Sequence, residues 1–208
     1  MFRRHANCDC TVVYDPSNGS KRVQDVWSKS WNNNSKLDKI QRKIERIQRE
    51  ITITLPDGIE DVTKKYLSEA TPGKGRIEID SGIDVKNNKE DIKIAKWLKD
   101  TFGGEIRVVK ALNKYKEGTP DYIWNNKQWE LKSPSSKNAI DKRMQKAGHQ
   151  LGASGGGMVI DITNVKNLSI QEITEFIAEK LPKRAKGDID LIIVKDAKLI
   201  NVMRYKKK

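Results

Sequence analysis

Gly118-Thr119-Pro120-Asp121-Tyr122-Ile123-Trp124-Asn125-Asn126-Lys127-Gln128-Trp129-Glu130-Leu131-Lys132-Ser133-Pro134 is the stretch whose reading decides the fold. Two runs rich in aromatic and β-branched residues flank Asn125-Asn126, a pair that tolerates the left-handed backbone of a tight turn. That pattern predicts a β-hairpin. With the turn at those two residues, Trp124 faces Lys127, Ile123 faces Gln128, Tyr122 faces Trp129 and Asp121 faces Glu130. Directly opposed side chains on one face sit roughly 4.5–5.5 Å apart, and like charges there repel. Strand alternation puts Lys132 on the face of Glu130, while Tyr122, Trp129 and Leu131 point to the other side as core. Two carboxylates and an amine forced together need neutralising, which a hard divalent cation with oxygen ligands can do. The plainer alternative is a surface hairpin with its charged residues on the wet side. It accounts for Lys132 but leaves Asp121 opposite Glu130 unexplained.

Outward from the hairpin, composition narrows the class. The chain has 208 residues, 41 Lys and Arg against 28 Asp and Glu, and a net charge of +13. That length holds one sizeable domain, or a domain with a small appendage. The positive excess favours an anionic partner, above all nucleic acid. No apolar run can span a bilayer and no secretory signal opens the chain, so it is expected to be soluble and cytoplasmic, without a membrane partner. Two cysteines cannot build a disulfide framework.

Leu37, Ile40, Ile44, Ile47 and Ile51 recur at helical steps, predicting a basic helix from Ser35 to about Thr54. A second short helix is expected around Glu60 to Glu69. Thr71-Pro72-Gly73-Lys74-Gly75 is the best linker, placing a small helical N-terminal region at 1–75 and a domain at 76–208. Asn87 or Asn88 can cap a helix from about Lys89 to Phe102, stopped by Gly103-Gly104. Glu105–Lys110 is a strand, and the hairpin follows. Ser136–Leu151 carries Ile140, Met144, Ala147 and Leu151 at core spacing. Met158–Ile162 reads as a buried strand, and Ser169-Ile170-Gln171-Glu172 is a capping box opening a helix to Leu181. Asp190–Val194 and Leu199–Tyr205 form a last strand pair turning at 195–198.

Pro120-Asp121 followed by Glu130-Leu131-Lys132 resembles the signature of the PD-(D/E)XK nuclease superfamily, and the order helix, three strands, helix, strand is similar to its restriction-endonuclease-like αβββαβ core with a mixed central sheet. The resemblance runs from about Lys86 to the carboxyl terminus. Within the superfamily the chain looks most like the carboxyl-terminal toxin nucleases of contact-dependent inhibition systems that cut transfer RNA. The matching features are the Thr-Pro-Asp strand, the Trp-Glu-Leu-Lys-Ser-Pro strand, the helix segment Lys142-Arg143-Met144-Gln145-Lys146-Ala147-Gly148-His149-Gln150 and the apolar strand ending in Asp161.

What the resemblance implies is metal-assisted phosphodiester hydrolysis. Asp121 and Glu130 would hold Mg²⁺ or Mn²⁺, joined by the carbonyl of Leu131, and Lys132 would orient the attacking water or offset charge on the phosphorane. A structural ion pair of Lys132 with Glu130 is the competing reading. Glu90 could supply a third carboxylate, or could simply be a first-turn helix acid. Gln145 is expected at the scissile phosphate. Arg143, Lys142 and Lys146 are expected to attract the backbone, and His149 either joins them or is plainly exposed. An immunity protein is the further partner implied.

One segment stands apart. His5, Cys8 and Cys10 could give zinc three ligands, but a closed structural site needs four, so reduced thiols on a short strand are the favoured account. The segment resembles the His-x-x-Cys-x-Cys-Thr tail of Mu F-like phage minor head proteins, which implies a phage or mobile-element origin. Three functions follow: an RNA nuclease toxin acting on transfer RNA, a DNA endonuclease on the same fold, or a non-catalytic phage head-associated protein that binds nucleic acid. The 2′-hydroxyl contacts that tell RNA from DNA cannot be read from a linear chain.

Overall fold

A computed structural model describes residues 54–110 and 119–207, the strand backbones of Thr11–Tyr14 and Lys21–Gln24, and Arg42. The chain divides into two compact units, Met1–Lys43 and Ile44–Lys208. In the first, β1 (Thr11–Tyr14) pairs antiparallel with β2 (Lys21–Gln24), Val12 opposite Val23. This hairpin stands in the region expected to be helical. His5, Cys8, Cys10 and nearly all of the helix expected over 35–54 lie outside the described residues.

The second unit runs β3 (Ile59–Asp61), α1 (Thr63–Ser68), β4 (Ile77–Ile79), α2 (Lys89–Phe102), β5 (Ile106–Val108), β6 (Tyr122–Trp124), β7 (Lys127–Lys132), α3 (Lys137–Leu151), β8 (Gly156–Asp161), α4 (Ile170–Arg184), β9 (Ile189–Lys195) and β10 (Lys198–Tyr205). Its strands form one sheet in the order β3-β10-β9-β8-β7-β6-β5-β4. The pairs β4/β5, β7/β8 and β8/β9 are parallel and the others antiparallel, so the expected αβββαβ run with its mixed sheet is present. Strand β7 is interior, which is why its last four residues are all buried.

The hairpin forms as its turn residues dictate. Asn125 and Asn126 have φ of 49° and 62°, the two left-handed positions that a two-residue turn matched to strand twist requires. Trp124 faces Lys127, Ile123 faces Gln128 and Tyr122 faces Trp129, in the expected register. Glu130 lies beside Met158 and Lys132 beside Ile160 on β8, so these four share a face. Met158 and Ile160 belong to the core that α3 and α4 close with Ile140, Met144, Ile173 and Ile177. Trp129 and Leu131 therefore face the opposite side of the sheet, where Trp129 meets Trp124 and Trp124 meets Phe102 and Tyr66.

The helix ends follow local chemistry. Ser136 caps α3 by accepting from the Ala139 N–H, and Ser169 and Glu172 close a capping box on α4. Asn88 sits at the start of α2 without capping it, because its amide donates instead to the Asp84 carbonyl. Helix α4 continues past Leu181, with Pro182 inside it, to Arg184, whose guanidinium grips Asp141 of α3 through two bonds of 2.8 and 2.6 Å.

The expected boundary at residue 75 falls inside the second unit. Strand β3 is hydrogen-bonded to β10, and the Thr63 hydroxyl accepts from the Val202 N–H at 2.8 Å. The Gly/Pro cluster at 71–75 is a connection within the unit, held by bonds such as Gly73 N–H to the Lys99 carbonyl. Short strands β3 and β4 have too little alternation to stand out in the sequence; pairing with β10 and β5 makes them strands.

Candidate active site

Glu130 and Lys132 are brought together by alternation along β7, and Asp121 by the entry to β6. The Asp121 carboxylate accepts from the Leu131 N–H at 2.7 Å, which fixes it against the partner strand. Lys132 Nζ then lies 3.4 Å from Asp121 Oδ2 and forms an ion pair with Glu130 Oε2. One ammonium thus stands between two carboxylates. Glu130 is fully buried and Lys132 is 8% exposed, whereas the Asp121 side chain is 32% exposed, so the cluster opens toward solvent at Asp121. The plain surface hairpin does not hold for the acid and the amine of β7.

Burial pushes the Glu130 carboxyl up to about 7, with the Asp121 charge adding to it and Lys132 working against both. A buried carboxylate with a like charge beside it resists ionisation, and one cation cannot satisfy two acids. Glu130 Oε1 is buried with no hydrogen-bond partner.

A third acid, on α2, lies within electrostatic reach of the pair. Asp91 is half-buried, and its carboxyl is pushed up to about 6 by burial, then by the charges of Asp121 and Glu90. Its main chain is tied to the hairpin by the buried Tyr122 hydroxyl, which donates to the Asp91 carbonyl at 2.9 Å. Glu90, expected in this role, is exposed. A signal for Asp91 was available: Ile94, Ala95 and Leu98 lie three, four and seven residues beyond it, so it continues the apolar stripe of α2, while Glu90 lies off its centre.

Among the described residues no group of three or more His, Cys, Asp or Glu side chains is gathered tightly enough to hold a metal ion. The donors that are gathered are two carboxylates, one with an unpartnered buried oxygen. That set fits Mg²⁺ or Mn²⁺, since Mg²⁺ is commonly held by one or two carboxylates, with water and substrate phosphate completing its shell. Asp121 and Glu130 are the residues that could hold it.

Gln145, Lys142, Arg143, Lys146 and His149 are all exposed on α3. Among the described residues no hydrogen bond joins Gln145 or His149 to Asp121, Glu130 or Lys132. The structure sets them on the helix that follows the acidic strand.

Residues 117–199 match the contact-dependent growth inhibition CdiA C-terminal domain family. The match opens just before Asp121 and closes on β10, so it takes in Asp121, Glu130, Lys132 and Gln145 and leaves out Asp91 and Glu90. The chain also resembles a chain of the CdiA-CT/CdiI toxin and immunity complex from Burkholderia pseudomallei, with 15% identity, 62% of this chain and 94% of that chain covered, and a TM-score of 0.39. None of the curated proteins matches. Among the described residues no helix is long and apolar enough to cross a membrane.

Proposed function

We propose that this chain is a metal-dependent nuclease of the PD-(D/E)XK type, a growth-inhibiting toxin that hydrolyses RNA with transfer RNA as its substrate. The observation that carries the reading is the pairing of Asp121 and Glu130 across one lysine, with a buried Glu130 oxygen left without a partner. The match over residues 117–199 supports the toxin class, and the net charge of +13 suits a polyanionic substrate.

Asp121 and Glu130 would hold Mg²⁺ or Mn²⁺, which when bound neutralises phosphate charge and makes a bound water more acidic. Lys132 places a positive charge beside them to stabilise charge developing on the phosphate. The Leu131 N–H holds the Asp121 carboxylate in place, so the backbone of β7 presets one acid relative to the other. Asp91 adds negative charge at the same site and favours cation binding. Gln145 on α3 would meet the scissile phosphate, with Arg143, Lys142, Lys146 and His149 drawing in the backbone. An immunity protein is the partner that a toxin of this kind requires in its own cell.

The test is incubation of the full chain with transfer RNA, duplex DNA and single-stranded DNA, each with Mg²⁺ and with EDTA. Transfer RNA should be cut only with the metal, and Glu130→Gln and Lys132→Ala should lower the rate at least about a hundredfold while still binding RNA. Cutting of DNA alone would move the substrate to DNA. Binding of all three without cleavage would leave a nucleic-acid-binding protein.

A further inference from the structure

The two edges of the eight-stranded sheet differ in character. Strand β3 closes one side with Ile59-Glu60-Asp61, whose two acids would repel the same strand of another molecule. Strand β4 closes the other with Ile77-Glu78-Ile79. Ile79 is 38% exposed, and with Val85 it makes up the exposed large apolar side chains among the described residues. The Ile106 N–H donates to the Arg76 carbonyl at 3.0 Å, and the Asp80 N–H donates to the Val108 carbonyl at 3.1 Å. Arg76, Glu78 and Asp80 therefore turn their peptide groups toward β5. Ile77 and Ile79 turn theirs outward, where no further strand meets them among the described residues.

The charges along this edge are antisymmetric about Ile77. Lys74 and Arg76 precede it, and Glu78 and Asp80 follow it at the mirrored spacings. A second copy running antiparallel, with the two-fold axis at Ile77, meets the first with Ile77 opposite Ile77 and Arg76 opposite Glu78 on both sides. In that register the outward peptide groups of Ile77 exchange a pair of hydrogen bonds. Arg76 and Glu78 fall at the positions without hydrogen bonds, where opposed side chains lie closest. Moving the axis to Glu78 would set two carboxylates against each other, so charge selects one register. Within one molecule Arg76 is bonded to Glu105 at 2.6 Å, but those side chains are 78% and 61% exposed, and exchanging such a surface pair costs little. Glu78 forms no ion pair among the described residues. It stands beside Arg107 and Ile123 on an open face with a cavity of about 350 Å³, so nothing there covers it.

We infer that β4 pairs with β4 of a second copy of this chain, antiparallel about Ile77, joining the two sheets into one with Arg76 and Glu78 matched across the seam. Alternation sends Ile77 and Ile79 of both copies to one face of the seam, where they form a single apolar strip, and the charged pairs to the other. A strand of three residues buries little area, so the dimer is weak and reversible. The isoleucines supply its adhesion and the charges its register. Strands β5 and β6 lie between this edge and β7, so the contact does not depend on the acidic pair being catalytic.

Sedimentation velocity of the full chain between roughly 5 and 500 µM should show reversible exchange between monomer and dimer. Arg76→Glu and Glu78→Arg each set like charges against each other at both pairs, and each should weaken dimerisation by at least about tenfold. The double variant Arg76→Glu/Glu78→Arg restores opposite charges with their places exchanged, and should return to within about threefold of the wild type. That recovery also shows that the single variants failed at the seam and not in folding, which urea unfolding of each checks independently. Amide hydrogen exchange supplies a second measure: the Ile77 N–H should exchange more slowly at the highest concentration than at the lowest. A chain that stays monomeric throughout, single variants that dimerise like the wild type, a double variant that stays apart, or an Ile77 amide indifferent to concentration would overturn the inference.

Discussion

Replacing Glu130 with Gln tests the electrostatics of the site without reference to any substrate. The Glu130 carboxyl is raised from 4.5 to about 7 in the fold, so the folded chain holds a proton that the unfolded chain has lost throughout that interval. Stability then falls as pH rises from 4.5 toward 7 and is flat beyond it, the opposite of a salt-bridged surface acid. Integrating the two titrations, ionisation of Glu130 costs the fold about 1 kcal/mol at pH 5 and about 3 kcal/mol at pH 8. Glutamine carries no such charge, so Glu130→Gln should gain about 2 kcal/mol on the wild type between pH 5 and pH 8. Urea unfolding of both proteins at the two pH values measures the difference directly, and other titrating groups, Asp91 included, are common to both. Mg²⁺ at pH 8 should raise the wild-type midpoint and leave that of Glu130→Gln where it was, because a cation favours the ionised acid. Stability curves that run parallel at the two pH values would refute the argument, whatever the enzyme assays say.

Two further outcomes are expected. Asp91→Asn should raise the Mg²⁺ concentration needed for half-maximal cleavage by about tenfold, the size of a supporting-residue effect on metal affinity, while Glu90→Gln should stay within about twofold; the reverse order would restore Glu90 as the third acid. A Cβ at Gly157 would lie 2.1 Å from the Trp129 ring, so Gly157→Ala should destabilise the fold by about 3 kcal/mol in thermal or urea unfolding, since neither the interior strand nor the indole can give way.

The hairpin was legible because its turn and its two flanking runs are local signals that agree: Asn125-Asn126 sets the register, and alternation along β7 puts Glu130 and Lys132 on one face. The helices α2, α3 and α4 were legible for the same reason, their apolar spacing and caps lying within a single turn or two. What the sequence hid depends on distant partners. Strand β3 is a strand because β10 offers an edge, and no property of Ile59-Glu60-Asp61 announces that. The burial of Glu130 and Lys132 was missed because β8, far along the chain, covers β7 on its second edge and α3 covers its face; a charged pair on a hairpin otherwise reads as wet. Glu90 was read as a possible third carboxylate because family resemblance pointed to that turn, whereas the half-burial of Asp91 follows from the stripe of Ile94, Ala95 and Leu98. The indole of Trp129, read correctly as core, gave no hint that its nitrogen would lack an acceptor, since that depends on which carbonyls the completed sheet leaves nearby.

The attachment of β3 to β10 determines how small a working fragment can be. Asn201 donates to Asp61 at 2.9 Å, the Val62 N–H reaches the Val202 carbonyl at 2.9 Å, and Thr63 takes the Val202 N–H. Trimming the polypeptide at Gly75 would strip all three and bare an eight-residue strand rich in Leu, Ile, Val and Met, an invitation to intermolecular pairing. A preparation meant to stay monodisperse therefore has to begin upstream of Ile59, even though every acid of the candidate site lies beyond residue 90.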